Sequence, residues 1–205
     1  MKKSVAQIYD EFAETYEESR DIFDMTEVFN DFYQRFDIKK GKVLDLGCGV
    51  GEPFASTFLK RGWSVTGVDF SQRMLELAAK FVPNMDTIYA DMRNIEFGPD
   101  QFDAVTLIYA LFHVPRDNHV ALFKKIFDWL RPHGKTLFTY ASQEYTGQLE
   151  FDGYKEFMGQ ELYYSHKSPE QLYADLERLG FDIDARDNRN IGGEVFLWIT
   201  ASKPA

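Results

Sequence analysis

An α/β fold is predicted for this chain, and three observations predict it. Residues 43 to 51, Val-Leu-Asp-Leu-Gly-Cys-Gly-Val-Gly, run a buried-strand pattern straight into a turn with glycine at every second position. The segment Glu52 to Arg61 follows with Phe54, Ala55, Phe58 and Leu59 at helical spacing. Strand-like apolar runs then keep alternating with amphipathic segments as far as Ala201. Gly47, Gly49 and Gly51 can take backbone conformations closed to other residues, and they leave room where a Cβ would meet a bound molecule. Strand, glycine turn and helix form a nucleotide-type site, with the ligand expected at the helix N-terminus beside unpaired N–H groups.

The remaining elements follow from periodicity and punctuation. Val5, Ile8, Tyr9, Phe12 and Tyr16 are spaced like one face of a helix, and Val28, Phe29, Phe32, Tyr33 and Phe36 repeat the pattern before Gly41. Ser64 to Val68 reads as a second strand ending at Asp69, and Ser71 can cap a helix running to Lys80. An apolar stripe marks Val120 to Leu130 as a helix, and Lys135 to Tyr140 reads as a strand. Ser168 caps a last helix over Pro169 to Leu179. Phe181 to Arg186 alternates, Val195 to Ala201 is nearly all apolar as a central strand should be, and Gly192-Gly193 suits a hairpin between them. The stretch from Ser142 to Lys167 is the least regular and is rich in aromatics.

Composition bounds the function. At 205 residues, with 44% apolar and 27% charged content, the chain can bury one sizeable core without dividing. Its net charge of −10 disfavours nucleic acid and anionic membranes as partners, because both demand concentrated Lys and Arg. The N-terminus lacks the apolar core of a signal peptide, and no apolar run approaches the ~18 residues of a membrane span, so a cytoplasmic location is expected. Cys48 has no partner for a disulfide or a Cys metal site, and the four histidines are scattered, so no metal is expected. His119 reads as a first-turn helix residue and His133 as part of an exposed turn, while His113 lies at a strand end where a binding role and a loop role are equally open.

Charge narrows the choice of nucleotide. The dinucleotide fingerprint needs a third glycine where this chain has Glu52, and Asp45 and Glu52 would repel a pyrophosphate. A cationic or zwitterionic ligand fits better. Asp69, eighteen positions past Gly51, stands about where an acid should meet ribose hydroxyls. The pattern Asp45-x-Gly47-x-Gly49-x-Gly51 resembles the first motif of the class I S-adenosylmethionine-dependent methyltransferases. The resemblance covers roughly residues 40 to 140 in order, and extends more loosely to the rest.

That resemblance carries specific expectations. It implies a Rossmann-like, seven-stranded, mostly parallel sheet with one antiparallel strand, helices on both faces and N-terminal helices over the cofactor. The chain would be a single domain over 1–205: a helical cap at 1–40, a cofactor-binding core at 41–141, an acceptor-side insertion at 142–168, and a last helix with a closing strand hairpin at 169–205. The donor S-adenosylmethionine would meet Asp45, Gly47, Gly49 and Gly51, with Cys48 as a small residue against it and Asp69 on the ribose. Phe70, Ser71 and Met74 resemble adenine-side contacts, as do Asp91 and Met92 in Ile88-Tyr89-Ala90-Asp91-Met92. Phe102 to Phe112 is similar to the fourth strand and leads to Tyr109, Ala110 and His113 beside the methyl donor. Tyr9 to Tyr16 looks like the capping helix, with Tyr9 and Tyr16 near the methionine end.

The acceptor is expected to be a small organic molecule in a pocket built from the 142–168 stretch, with Tyr145, Phe151, Tyr154, Phe157, Tyr163, Tyr164 and His166 as its wall. His113 and His166 are the candidate bases and Tyr163 and Tyr164 the candidate orienting groups. No sequence feature names the methylated atom or the oligomeric state. Two alternatives stand beside this reading: a non-catalytic binding or partner protein of the same fold, and a protein methyltransferase. The protein-amide type of the latter is disfavoured, since its Asn/Asp-Pro-Pro-Tyr/Phe signature is replaced here by Tyr109-Ala110-Leu111-Phe112.

Overall fold

Residues 3–18 and 23–205 are described in the computed structural model. Two helices, α1 (Val5–Glu18) and α2 (Thr26–Tyr33), precede β1 (Lys42–Leu46), α3 (Phe54–Lys60), β2 (Ser64–Asp69), α4 (Gln72–Phe81), β3 (Asp86–Tyr89) and β4 (Phe102–Leu107). Then come α5 (His119–Trp129), β5 (Leu130–Tyr140), α6 (Gln143–Thr146), β6 (Phe151–Phe157), β7 (Gln160–His166), α7 (Pro169–Leu179), β8 (Asp182–Ile191) and β9 (Glu194–Ser202). Seven of the strands form one sheet in the order β3-β2-β1-β4-β5-β9-β8. β1 to β5 run parallel, and β9 is antiparallel to both β5 and β8. This is the Rossmann-like, mostly parallel arrangement expected from the sequence.

Period-two alternation divides the core between the two faces of the sheet. Val43, Val65, Ala104, Leu137 and Trp198 face one side, with Phe12 of α1, Phe29 and Phe32 of α2, and Phe54 and Phe58 of α3. Leu44, Leu46, Val105, Phe138 and Ile199 face the other, against Phe123 and Ile126 of α5 and Leu172 and Leu176 of α7. The central strands are apolar in both directions because helices cover both faces. Local signals fix the helix ends. Ser71 Oγ accepts the Met74 N–H at 3.1 Å to cap α4, and Ser168 Oγ accepts the Gln171 N–H at 3.3 Å to cap α7. Gly192 and Gly193, both at positive φ, turn β8 into β9.

The structure departs from the sequence reading in four places. α3 begins at Phe54, three residues past Gly51, with Pro53 as its N-cap. The glycine turn therefore does not feed directly into a helix N-terminus, and a residue without an N–H stands at the helix start. The fourth strand ends at Leu107 rather than Phe112, and Leu111–His113 forms a short 3-10 turn. α1 is broken at Phe12, whose φ of −119° is not helical. Finally, the irregular stretch is largely regular: β6 and β7 pair antiparallel from Phe151↔His166 to Phe157↔Gln160 across a Met158-Gly159 turn, both residues at positive φ. Among the described residues no helix is long and apolar enough to cross a membrane.

Candidate functional site

The glycine turn is held against the end of β2. Gly47 and Cys48 both donate their N–H groups to the Val68 carbonyl, at 2.7 and 3.1 Å. Gly47 has φ +72°, and a Cβ there would sit 2.4 Å from that of Ala110, so two loops meet at this point only because the side chain is missing. Gly49 differs. Its φ is +51° and nothing lies within 4 Å of where its Cβ would be, so it faces open space. That space is a cleft of about 430 Å³, open mouth included, lined by Tyr9, Tyr16, Asp69, Met74, Tyr109 and His113 together with the glycines.

Asp69 closes the wall beside the turn. One carboxylate oxygen accepts the Gly49 N–H and the other the Ser71 N–H, each at 2.8 Å. Each oxygen keeps a lone pair for a further donor. Burial pushes its carboxyl up to about 6 against these N–H groups, which favour the charged form. Asp45, one strand over, is also buried and also raised to about 6 by desolvation, opposed by the Thr106 hydroxyl donating at 2.6 Å. Two buried carboxylates at the ends of β1 and β2 make this end of the sheet hostile to phosphate.

Helix α1 lies over the cleft and is latched at α4. Asp10 accepts the Ser71 hydroxyl at 2.7 Å and the Arg73 N–H at 3.1 Å, and Arg73 also pairs with Glu14. Across the cleft, Tyr9 meets His113 at 3.0 Å. His113 Nδ1 lies 2.7 Å from the Tyr163 carbonyl, which can only accept, so Nδ1 carries the proton and Nε2 accepts from the Tyr9 hydroxyl. Burial drives the imidazole down to about 4. His113 is thus neutral, with both ring nitrogens engaged.

Two further cavities adjoin the cleft. One, of about 610 Å³, shares Phe70, Ala110 and His113 with it and adds Asp91, Met92 and Arg93. Asp91 is chelated there by Arg93, which holds it below the usual carboxylate range although partial burial acts the other way. The other, of about 290 Å³, shares Tyr9, Tyr16 and Tyr109 with the cleft and ends on Phe112, Tyr164 and Glu194. Tyr109 sits between cleft and pocket in a left-handed conformation, φ +53°, its N–H given to Thr139 at 2.6 Å. Its buried hydroxyl has no hydrogen-bond partner among the described residues.

The structure thus gathers Tyr9, Tyr16, Gly47, Gly49, Asp69, Phe70, Met74, Tyr109 and His113 around one cleft, Asp91 and Met92 at one end, and Tyr164 at the other. Other expected site residues lie elsewhere. Cys48 is buried against Gly67, and its thiol, raised by burial, lines none of the three cavities. Asp45 reaches Thr106 rather than the cleft, and Ser71 is occupied as the α4 cap and the Asp10 latch. Gly51 packs toward Met85 and Val82.

His166 and Tyr163 also lie outside the three cavities. Alternation along β7 turns Leu162, Tyr164 and His166 inward and Tyr163 outward. Tyr163 therefore meets Asp152 at 3.1 Å on the outer face, paired across the hairpin with Tyr154. His166 is inward but fully buried behind the pocket, with Nε2 2.8 Å from Thr146 and its ring against Phe151. Ile108, Phe23, Phe196 and Glu194 were missed as lining residues. Only Glu194 carried a signal, as an acid opening an otherwise apolar central strand.

Residues 43–134 match the family described as a methyltransferase domain. Phosphoethanolamine N-methyltransferase 1 of Arabidopsis thaliana is 30% identical over 143 residues, which is 67% of this chain and 29% of that one. The chain spans less than half the length of the curated relatives it matches. Among solved structures, the 1,6-didemethyltoxoflavin-N1-methyltransferase of Burkholderia thailandensis, with its substrate and S-adenosylhomocysteine bound, superposes at a TM-score of 0.68 and 18% identity, covering 100% of this chain and 93% of that one. The [4+2]-cyclase SpnF superposes at 0.76 and 16% identity, covering 98% and 95%. These likenesses establish a shared fold. Residues 43–134, the part that matches the methyltransferase domain family, carry the glycine turn, Asp69, Asp91 and the Tyr109–His113 wall of the cleft.

Proposed function

We propose that this protein is an S-adenosylmethionine-dependent methyltransferase that moves a methyl group to an O, N, S or C atom of a small organic acceptor. The observation that carries the reading is the line of three adjoining cavities with the glycine turn and Asp69 at its middle. The residues fit the donor. Asp69 keeps a lone pair on each oxygen for ribose hydroxyls, and Phe70, Asp91 and Met92 flank the end suited to the adenine. Gly47 and Gly49 leave the methionine end bare backbone under Tyr9 and Tyr16. When bound, the donor supplies an electrophilic methyl group on a positively charged sulfur.

The protein's part is alignment. Holding acceptor and methyl carbon in line at roughly 3–3.5 Å supplies several kcal/mol without a strong acid or base. Tyr109 stands between cleft and aromatic pocket, and the His113–Tyr9 pair fixes the lid helix over the same point. The small-molecule acceptor is supported by the narrow pocket and by the toxoflavin and phosphoethanolamine enzymes among the relatives. The net charge of −10 supports an acceptor that is neither nucleic acid nor an anionic membrane surface.

Calorimetric titration with S-adenosylmethionine and S-adenosylhomocysteine, with NAD as control, tests the reading. Binding of both sulfur ligands and not NAD supports it; binding of neither refutes it. A second reading, a protein of this fold that performs another reaction, draws on the cyclase that superposes at 0.76. It predicts donor binding without release of S-adenosylhomocysteine in any acceptor screen.

A further inference from the structure

The pocket beyond Tyr109 is aromatic on almost every side and carries one charge. Phe23, Phe112, Phe157, Tyr164 and Phe196 line it, and Tyr109 closes it toward the glycine turn. The rings hold one another in place: Phe112 stacks between Tyr164 and Phe196, each at 5.0 Å, and Tyr109 meets Phe196 edge-on at 5.3 Å. Into this box β9 delivers Glu194, the first residue after the Gly192-Gly193 turn. Among the described residues no lysine or arginine lines the pocket.

Glu194 is incompletely neutralised. Tyr145 and Lys155 both act on its carboxylate to favour the charged form, but the Tyr145 hydroxyl donates to the Tyr164 hydroxyl at 3.3 Å. Lys155 itself is committed to the Tyr145 carbonyl at 2.8 Å and stands over the Tyr145 ring at 4.8 Å, behind the pocket wall. Partial burial outweighs both partners and raises the Glu194 carboxyl above its usual value. Nearby, the buried Tyr109 hydroxyl has no hydrogen-bond partner among the described residues and offers an oxygen to an incoming N–H.

An acceptor's charge decides what such a pocket holds. A carboxylate or phenolate is repelled by Glu194, and a neutral alcohol gains only a hydrogen bond from it. A cation gains twice, from the carboxylate and from the ring faces, and the second attraction strengthens as water is excluded. We infer that the acceptor of this methyltransferase is a small amine, bound as its ammonium ion among these rings with Glu194 as counter-charge; the inference rests on the methyltransferase reading. For transfer, the nitrogen first gives up one proton, which passes by way of the half-exposed Glu194 to water. Its lone pair then forms the N–C bond as the C–S bonding pair returns to sulfur, and the product leaves as a methylated ammonium.

The test uses a charge-only pair of probes, choline and its carbon isostere 3,3-dimethylbutan-1-ol, titrated by calorimetry into the full chain saturated with S-adenosylhomocysteine. Choline should bind roughly tenfold tighter than the isostere. In Glu194→Gln that preference should shrink to about threefold or less, while S-adenosylhomocysteine affinity stays at the wild-type value and certifies the fold. Equal binding of the two probes, no choline binding to the loaded protein, or a preference that survives Glu194→Gln overturns the inference and leaves the methyltransferase reading standing. Failure to bind S-adenosylhomocysteine overturns that reading, and this inference with it.

Discussion

Replacing Gly49 with alanine puts the ligand site to a sharp test, because it separates binding from folding. The residue sits at φ +51°, and a Cβ built there has no neighbour within 4 Å. The added methyl therefore creates no clash in the empty protein. The left-handed conformation costs an alanine about 1–2 kcal/mol, and the stiffer unfolded chain offsets roughly 0.4–1 of that. A net loss of about 1 kcal/mol lowers Tm by about 2–4 °C in a chain of this size. The same methyl enters the cleft where a ligand lies against bare backbone, and forcing one extra methyl into a packed contact costs about 1–3 kcal/mol. The Kd for S-adenosylhomocysteine should rise about ten- to hundredfold.

Gly47→Ala is the contrast. Its Cβ would lie 2.4 Å from that of Ala110, so the damage falls on the fold, and Tm should drop several degrees further than in Gly49→Ala. Calorimetric titration and thermal melts on the two variants read both quantities. The reasoning fails if Gly49→Ala binds S-adenosylhomocysteine within about twofold of wild type, because a ligand resting on that turn cannot ignore a methyl group.

Four further outcomes follow from the geometry. Asp69 and Asp45 are carried to about 6 by burial, so both are largely protonated at pH 5. A ligand whose hydroxyls need an ionised Asp69 should bind about tenfold more weakly at pH 5 than at pH 7, and Asp69→Asn should flatten that profile in titrations across the range. Stability of the empty protein has the opposite slope. The folded carboxyls hold protons that the unfolded chain releases near pH 4, so stability falls by roughly 1.4 kcal/mol per pH unit per group as pH rises from about 4 to 6, checked by urea denaturation. Asp10→Ala removes the acceptor for both the Ser71 hydroxyl and the Arg73 N–H; proteolysis within residues 5–18 should quicken and S-adenosylhomocysteine affinity fall about fivefold, whereas an unchanged cleavage rate would deny the latch. His166→Ala empties a fully buried site and should cost about 2–3 kcal/mol in urea denaturation without altering donor affinity; a loss of turnover at unchanged stability would restore His166 to the acceptor site.

The glycine-turn end of the cleft was legible because its determinants are local. Gly47, Gly49 and Asp69 announce themselves by residue type and spacing along two consecutive strands, and a parallel sheet brings the ends of such strands together automatically. Cys48 shows the limit of that logic: sharing the turn does not decide which way a side chain points, and its sulfur turns back onto Gly67. The β6–β7 hairpin was not legible. Its turn is Met158-Gly159 rather than Asn-Gly, and the alternation in Tyr154-Lys155-Glu156-Phe157 is blurred by aromatics on both faces. Once the strand is missed, so is the parity that puts Tyr164 in the pocket and Tyr163 outside it. Glu194 and Phe196 lie still further away, reaching the pocket only because the last strand inserts beside β5.

The cleft is also marked by what it forgoes in stability. A left-handed non-glycine residue at Tyr109 stores about 1–3 kcal/mol, and a buried hydroxyl without a partner costs about 1–3 more. Asp45 and Asp69 are held where their charged forms are disfavoured. Packing gives no reason for the unpartnered Tyr109 hydroxyl, and the donors that Asp69 and Asp45 accept do not offset the burial of their charge. A ligand relieves all of them together if it carries hydroxyl donors for Asp69, positive charge to favour the buried carboxylates, and a polar group within reach of Tyr109. A dinucleotide brings the hydroxyls but sets its pyrophosphate against the acids; a free amino acid brings the charge but no hydroxyls for Asp69. A nucleoside joined to a cationic amino acid tail brings both, and the linked cavities run from Asp91 to Tyr109.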